Sequence, residues 1–232
     1  MASFASVQIR VNERIYLRDP EQTDLGRRII ESAIKLIESI GFEQFTFKKL
    51  ASDIKSTEAS IYRYFENKHK LLTYLVSWYW AWLEYQVEFQ THNIDDPRKQ
   101  LMIALRILSD DITYDPQFSH VDESLLHKIV VAESSKSYLT KEVDAANREG
   151  YFLSYKSLCN KIADIVVAIK PTFRFPRALA STMIEASYQQ KYFSQHLPSL
   201  TEINVPEHGE REVRDFLEYT IFGLLDGTLA GD

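Results

Sequence analysis

Residues 45–72 read FTFKKLASDIKSTEASIYRYFENKHKLL, and helix signals follow one another closely along them. Thr46 is placed to cap a short helix, and Lys55-Ser56-Thr57 suits a three-residue turn. Thr57 is then placed to cap a second short helix, and Asn67 a much longer one. The spacing therefore predicts two short helices joined by a tight turn, with a long helix after them.

The second short helix has an apolar and a polar side. Its inward positions are Ile61 and Phe65. Its outward positions are Ser60, Tyr62, Arg63 and Tyr64. Two short helices in this arrangement form a helix-turn-helix, whose second helix enters a DNA major groove about 12 Å wide. The pattern therefore favours DNA recognition over a plain three-helix bundle with a solvated basic face.

Residues 1–23 form an arm ahead of this region. From Val7 to Asn12 the residues alternate in polarity, which allows a short strand, and Asp19-Pro20 breaks it. The arm carries the arginines Arg10, Arg14 and Arg18. Two roles stay open for it, because arginines of this kind follow a DNA minor groove and an arm of this length also packs on the rest of a protein.

Helical periodicity continues on both sides of the helix-turn-helix. Before it, Thr23 or Asp24 caps a helix that ends at Gly41, where a positive φ costs glycine little. After it, Pro97 suits the start of a further helix. Later helical runs cover about 119–134, 138–147, 150–170, 177–196 and 209–226, and no run of central strands stands out. The sequence therefore predicts an all-α protein that divides near residue 70.

Charge divides the chain at the same place. The 232 residues are 45% hydrophobic and 26% charged, an ordinary globular balance, and the net charge of −6 argues against a wholly basic nucleic-acid binder. However, residues 1–70 carry +2 and residues 71–232 carry −8, and residues 48–70 hold six basic against three acidic side chains. A basic head on an acidic helical body directs any nucleic acid to the head.

The head resembles the DNA-binding domain of the TetR family of bacterial transcription regulators over residues 24–72. The resemblance rests on Gly41-Phe42, on FTFKKLA at 45–51 and above all on IYRYFENKHKLL at 61–72. It implies a homodimer with a C-terminal effector-binding domain, and usually repression of transcription. The domains are then an arm at 1–23, a helix-turn-helix domain at 24–70, and a helical effector-binding and dimerisation domain at 71–232.

The resemblance also assigns individual residues to double-stranded operator DNA. These residues are Thr46, Lys48, Thr57, Ser60, Tyr62, Arg63, Tyr64 and Lys68. Ser60, Arg63 and Tyr64 lie where the family reads bases. Tyr62 and Lys68 lie where it touches phosphate.

Two positions depart from the family pattern. The family usually has glycine at the turn, where this chain has Lys55, and a lysine there either adds a positive charge or requires a strained backbone. Glu58 opens the reading helix with an acid, which repels phosphate unless it accepts a hydrogen bond from a cytosine amine. Both departures concern which operator is read.

Aromatic residues of the body suggest a pocket for a small, mostly apolar effector, because Tyr and Trp combine apolar walls with polar tips. The candidate lining is Trp78, Trp82, Tyr85, Tyr114, His127, Tyr151, Tyr155 and Tyr188. Along the long helix, Trp78, Trp82, Tyr85 and Phe89 are expected to point inward together, with Trp80 facing elsewhere. The alternative for each of them is core packing.

The last two strong helical runs, 177–196 and 209–226, are the candidates for a dimer interface of four helices. The candidate contacts are Met183, Ala186, Gln190, Phe193, Phe216, Tyr219, Phe222 and Gly223. Their apolar and small side chains suit packing against a second copy. The alternative is that these helices complete the core of one chain.

The sequence contains little that supports other classes of function. His120, Glu123 and His127 share a helical face but fit no zinc signature, and no catalytic constellation, phosphate loop or cofactor motif stands out, so we expect no metal, cofactor or enzyme activity. With one cysteine and no long apolar run, we expect a cytoplasmic protein without a membrane anchor. The alternative to a regulator is a helical interaction module whose basic head docks an acidic protein.

Overall fold

The computed structural model describes residues 9–112, 120–209 and 211–227. Twelve α-helices and no strand lie in these ranges. The helices are α1 (Asp24–Gln44), α2 (Phe47–Asp53), α3 (Glu58–Tyr62), α4 (Lys68–Thr91), α5 (Pro97–Ser109), α6 (Glu123–Glu133), α7 (Ser135–Tyr138), α8 (Val143–Arg148), α9 (Leu153–Ile169), α10 (Pro176–His196), α11 (Val205–His208) and α12 (Arg211–Asp226). Short 3₁₀ helices occupy Glu13–Ile15, Pro20–Gln22 and Pro198–Leu200.

The caps predicted for the first four helices are present. The Thr23 hydroxyl accepts from the Gly26 N–H at 3.0 Å, and the Thr46 hydroxyl accepts from the Lys49 N–H at 3.2 Å. The Thr57 hydroxyl accepts from Ser60 N–H at 3.3 Å, and Asn67 Oδ1 accepts from the N–H three residues on at 2.9 Å. Each cap satisfies a backbone donor that the helix itself leaves free, which fixes where the helix begins.

Two residues in this region have a positive φ. Gly41 has φ 75° and interrupts the regular geometry near the end of α1. Lys55 has φ 51° in the turn after α2, where the Lys55 N–H donates to Ser52 O and the Ser56 N–H donates to Ala51 O. That pair of bonds is the Schellman ending of a helix, which normally has glycine at the position of Lys55.

The short strand expected in the arm is not present in its described part. Val7 lies outside the described residues, residues 9–12 form no regular element, and Glu13–Ile15 is a 3₁₀ helix. The Asn12 side chain starts this 3₁₀ helix by accepting from the Arg14 N–H at 3.0 Å. The backbone here is therefore hydrogen-bonded by a local side chain and not by a neighbouring strand.

Contacts divide the chain into two compact units. The first unit is Met1–Trp82 with Ile112–Tyr155, and the second is Leu83–Asp111 with Lys156–Asp232. The chain crosses from one unit to the other within α4 and within α9. The helix-turn-helix consequently shares its unit with α6, α7 and α8.

In the first unit, α1 packs against α6 and against the arm. Glu38 of α1 pairs with Lys128 at 3.3 Å, and Glu43 pairs with Lys136 at 2.9 Å. On the other side, the backbone of Pro20 passes so close to α1 that a Cβ added to Gly26 would lie 2.2 Å from the Pro20 carbonyl oxygen. Only glycine permits that approach, so the arm is fixed to the start of α1.

In the second unit, α5, α10 and α12 pack on one another. The buried side chains of this core include Leu101, Leu105, Met183, Ile184, Leu217 and Ile221. Along α12 the buried residues recur every four positions, so a single stripe faces the core and the opposite face stays exposed. None of the described helices combines the length and the apolar character that crossing a membrane requires.

Candidate nucleic-acid interface

The helix-turn-helix separates buried anchors from an exposed polar face. Ile61 and Phe65 are completely buried, as the sequence predicts. The exposed or half-buried residues on the other side are Thr46, Lys48, Thr57, Ser60, Tyr62 and Arg63. The exposed residues of α2 and α3 therefore form a polar surface over the buried apolar side chains of the same helices.

Internal contacts hold three members of this face in place. The Tyr62 ring is 48% exposed and meets the Phe47 ring edge-on, with 5.0 Å between centroids. The hydroxyls of Thr57 and Ser60 lie 2.9 Å apart. Because each side chain is already ordered by a neighbour, less conformational entropy is lost when a ligand meets it.

The charges on this face are mostly positive. Lys48, Lys55 and Arg63 are exposed on α2, on the turn and at the end of α3, and the exposed acids beside them are Asp53 and Glu58. Lys49 points its ammonium at the Gln44 carbonyl instead, at 2.8 Å. A surface with this balance attracts an anion and leaves several N–H donors free for it.

The expected outward position of Tyr64 is wrong. Its side chain is only 2% exposed, and its hydroxyl shares a 2.7 Å hydrogen bond with the Thr23 hydroxyl. The Leu17 N–H donates to the Tyr64 carbonyl at 2.8 Å, and Arg18 lies over the ring. Tyr64 lies three residues after the buried Ile61 and so shares its inward side at the end of α3, where the arm covers it.

Lys68 also departs from expectation, because its ammonium binds the protein itself. Its Nζ donates to the carbonyls of Phe42, Glu43 and Phe45 at 3.1, 3.2 and 3.4 Å. Nζ also lies 4.7 Å from the centre of the Phe42 ring. These carbonyls lie at the end of α1, where a lysine is suited to cap them. A phosphate contact through this ammonium competes with those bonds.

The described part of the arm packs on its own unit. The Asn12 amide donates to the carbonyls of Glu149 and Gly150, both at 2.9 Å. Tyr151 lies beside this anchor, and burial together with the Glu149 carboxylate raises its pKa to about 12. Its phenol therefore stays protonated at neutral pH.

Arg18 of the arm lies beside the end of α3. No pattern in the sequence indicates this contact, because it joins residues more than forty positions apart.

The residues expected to line an effector pocket are distributed over both units. The first unit holds Trp78, Trp82, His127, Tyr151 and Tyr155, and the second holds Tyr85 and Tyr188. Tyr114 lies outside the described residues. The buried members are Trp78, His127, Tyr151 and Tyr188, which supports the core-packing alternative for their side chains.

In the first unit an aromatic cluster surrounds Tyr79. The Tyr79 hydroxyl lies 2.7 Å from His127 Nδ1, and its ring is 5.3 Å from Trp80 and 5.9 Å from Trp82 between centroids. Tyr155 contacts Trp80 at 4.7 Å. The expected inward position of Phe89 on the long helix is wrong, since its side chain is 67% exposed, and Trp80, expected to face elsewhere, is also buried at 4% exposure.

A cleft of about 490 Å³ lies between α5 and α12 in the second unit. Its apolar lining is Ile94, Met102 and Ile103. Its cationic lining is Lys99, Arg106, Arg211 and Arg214, and its acidic lining is Asp215 and Glu218. Because it is open and strongly charged, it differs from the mostly apolar site expected for the effector.

The expected dimer contacts are exposed to different degrees. Met183 is fully buried within its own chain, so its expected contact with a partner is wrong, and it completes the core instead. Ala186, Gln190, Phe193 and Phe222 are half-buried. Phe216 and Gly223 are exposed, and Tyr219 is 85% exposed. The exposed members share the outer face of α12.

The histidines named as possible metal ligands have other neighbours. His120 Nε2 lies 3.3 Å from Glu21 Oε1, and His127 bonds to Tyr79. Within residues 9–112, 120–209 and 211–227, no group of three or more His, Cys, Asp or Glu side chains is arranged to hold a metal ion.

Comparison with known families supports the assignment of the head. Residues 29–75 match the model of a family described as bacterial regulatory proteins, tetR family. The match contains α2, the turn, α3 and the start of α4, and thus every residue expected on DNA. The resemblance predicted from those residues is confirmed over this segment. No curated protein matches the chain in sequence.

Several solved structures share the fold at low sequence identity. AibR in complex with isovaleryl coenzyme A and operator DNA aligns with a TM-score of 0.58 and 18% identity, over 84% of this chain and 97% of AibR. The superantigen PfiT aligns with a TM-score of 0.57 and 16% identity, over 93% and 100% of the two chains. The fatty acid degradation regulator FadR from Bacillus halodurans aligns with a TM-score of 0.50 and 16% identity, over 82% and 92%. The predicted all-α fold, with a helix-turn-helix head on a helical domain, is confirmed.

Proposed function

We propose that this chain, whose residues 29–75 match the tetR family of bacterial regulatory proteins, regulates transcription by binding operator DNA as a homodimer. One observation carries the proposal: the tetR-type segment presents an ordered, cationic face on the outer side of α2 and α3, over fully buried anchors. AibR, which has the same fold, is seen in complex with operator DNA and isovaleryl coenzyme A, and this supports DNA and a small molecule as partner classes.

Base reading falls to the outer side of α3. Ser60 and Arg63 supply the side-chain donors there, and arginine is the residue that bonds both O6 and N7 of guanine. Thr46, Thr57 and Tyr62 surround α3 with hydroxyls, and Lys48 adds a charge, so these four are assigned to phosphate and sugar contacts. The division predicts that Arg63 determines sequence preference and that Lys48 determines overall affinity.

Selection of bound duplexes from a random pool tests the proposal. We expect enrichment of one sequence in two related half-sites, one helical turn of about 34–36 Å or a multiple apart. Binding should weaken steeply with salt, since released counterions drive it. A folded protein that retains no duplex at low salt would overturn the assignment. Nuclease-resistant capture of an acidic protein, without retained DNA, would favour the interaction module in its place.

Dimerisation is assigned to the outer face of α12. Tyr219, Phe216 and Gly223 give that face two aromatic side chains and a gap that a partner helix can fill, since a Cβ added to Gly223 would meet nothing within 4 Å. Tyr219→Glu is expected to convert the dimer into a monomer in sedimentation experiments, because it buries a charge at the contact. Phe89→Glu, at an exposed aromatic residue of α4, is the control and should stay dimeric. Equal masses for both variants would exclude this face.

We further propose that an effector releases the protein from DNA and thereby ends repression. The aromatic cluster around Tyr79 is assigned as the effector site, because it lies in the same compact unit as the DNA face. His127 belongs to α6, and α6 packs directly on α1 of the head. An effector that moves α6 would therefore shift the head, and the two heads of a dimer would no longer match successive grooves.

Compounds that release DNA distinguish this cluster from the charged cleft. Tyr79→Phe removes the hydroxyl that bonds to His127, and it is expected to change the concentration of compound needed for release. Arg106→Ala, in the cleft between α5 and α12, should leave that concentration unchanged. The reverse result would move the effector site to the cleft.

A further inference from the structure

The arm replaces part of the surface that α3 was expected to present. Tyr64 lies just beyond the end of α3, and three arm residues cover it. Leu17 binds its carbonyl, Thr23 binds its hydroxyl, and Arg18 lies over its ring. Since only 2% of Tyr64 is exposed, its hydroxyl is not accessible to DNA.

Arg18 is the side chain that stands in front of this buried ring. Its guanidinium carbon lies 5.5 Å from the ring centre, within the range of a cation–π contact, and the residue is exposed. It forms no ion pair with the described residues. The neighbouring Asp19 carboxylate is used locally, since it accepts from the Glu21 N–H at 2.9 Å and from the Gln22 amide at 3.1 Å.

An arginine placed in this way is ready to bind an anion. The ring face attracts the guanidinium but uses none of its N–H donors in a conventional hydrogen bond, so these donors remain available to an anion. Arg63 is on the exposed side of α3, whereas Arg18 is on the side that the arm covers, and this places Arg18 at the edge of the groove, where the sugar–phosphate backbone runs. Phosphate is thus the nearest anion that DNA offers to a group beside Tyr64.

We propose that Arg18 of the arm contacts a DNA phosphate, in the place that Tyr64 at the end of α3 cannot take. The contact rests on the proposed function, because it requires that α3 is the element that enters the groove. It makes the arm part of the DNA-binding surface, held there by its backbone bond to Tyr64 and by the close approach of Pro20 to Gly26. The phosphate contact strengthens binding without selecting a sequence.

The salt dependence of DNA binding tests this contact. Arg18→Ala should reduce the slope of log affinity of the dimer against log salt by about 1.8, the value for two lost phosphate contacts, one in each subunit. The loss should be equal on a random-sequence duplex and on the selected operator. Arg18→Lys keeps the charge and should keep most of the slope. Arg174→Ala is the matched control, since Arg174 is also exposed and stacks on a neighbouring ring, that of Phe175, at 4.9 Å.

Tyr64→Phe separates the two candidates for the contact. It removes the hydroxyl but keeps the ring beneath Arg18, so it should leave the salt slope unchanged. A reduced salt slope in Tyr64→Phe, together with an unchanged salt slope in Arg18→Ala, would overturn the proposal. Equal salt slopes for Arg18→Ala and its control Arg174→Ala would also overturn it. If the unsubstituted protein binds no duplex at all, the proposed function itself fails and this contact fails with it.

Discussion

The reading helix α3 and the first half of α4 follow one another in the chain, but they bury their side chains in opposite ways. In α3, Ile61 is buried and the residues around it are exposed or half-buried. In α4, every residue from Leu71 to Trp80 is buried. A helix with one exposed face displays its periodicity in the sequence, whereas a helix surrounded by protein does not.

This difference separates residues available to a partner from residues committed to the fold. The exposed side chains of α3 and its neighbours make few internal contacts, so their replacement should alter binding more than stability. The side chains of α4 contact one another and their neighbours, as Trp80 does with Tyr79 and Tyr155. Their replacement should alter stability first. Substitutions in each region therefore test the contrast directly.

The largest effect is expected at Trp80 in the buried part of α4. Trp80→Ala leaves a cavity between Tyr79 and Tyr155 and should lower the free energy of unfolding by about 3–5 kcal/mol. Phe89→Ala, at an exposed aromatic position of the same helix, should change it by less than about 0.5 kcal/mol. Urea denaturation followed by circular dichroism measures both. Similar losses of unfolding free energy in Trp80→Ala and Phe89→Ala would show that the two positions of α4 do not differ in burial.

A smaller effect is expected at Lys68, where the two regions join. Lys68→Met removes a charged donor from three carbonyls at the end of α1 and should cost about 1.5–3 kcal/mol of stability. Because the ammonium is engaged within the protein, the salt slope of DNA binding should not change below the unfolding transition.

Lys48→Met is the control for Lys68→Met. Lys48 is exposed on α2, so its replacement should leave stability unaltered and reduce the salt slope. If Lys68→Met reduces the salt slope and leaves stability unaltered, Lys68 contacts phosphate and capping the end of α1 is not its main role.

The sequence predicted the head well because its signals are local. Thr23, Thr46, Thr57 and Asn67 each act on an N–H three residues away, and such spacing is visible in the chain itself. The inward positions Ile61 and Phe65 follow from the same helical register. These signals placed the turn, the anchors and most of the exposed polar face of α2 and α3.

The errors come from contacts between distant parts of the chain. Tyr64 was expected outward because nothing near it in sequence shows that Leu17 and Arg18 cover it. The family resemblance placed Lys68 on phosphate, and that role stays a prediction; nothing near Lys68 in sequence indicates its carbonyl partners, which lie more than twenty residues earlier. Likewise, helical spacing alone does not distinguish the buried Met183 from the exposed Tyr219 when both belong to amphipathic helices.

Replacing Arg63 should change recognition while leaving the fold intact. Arg63→Ala removes an exposed guanidinium at the end of α3 and should reduce discrimination at one base pair by about 1–3 kcal/mol. Its stability should match that of the unsubstituted protein within about 0.5 kcal/mol. Competition binding with operators changed one base pair at a time measures the loss. An unchanged preference at every position would remove Arg63 from base reading.

The smallest effect is a gain in stability at the turn between α2 and α3. Lys55 has φ 51° at the Schellman position after α2, where an L-residue with a side chain is disfavoured by about 1–2 kcal/mol. Glycine loses more freedom on folding, so Lys55→Gly should raise the free energy of unfolding by about 1 kcal/mol or less.

Lys49→Gly is the control, since it places glycine inside α2 and should lower stability by about 1 kcal/mol. Thermal unfolding of the unsubstituted protein, Lys55→Gly and Lys49→Gly measures the expected gain and the expected loss of stability in one experiment. A loss of stability in Lys55→Gly would mean that the lysine stabilises the turn by more than its backbone strain costs. A gain would show that this chain keeps a strained residue beside its reading helix, where the retained charge is available to DNA.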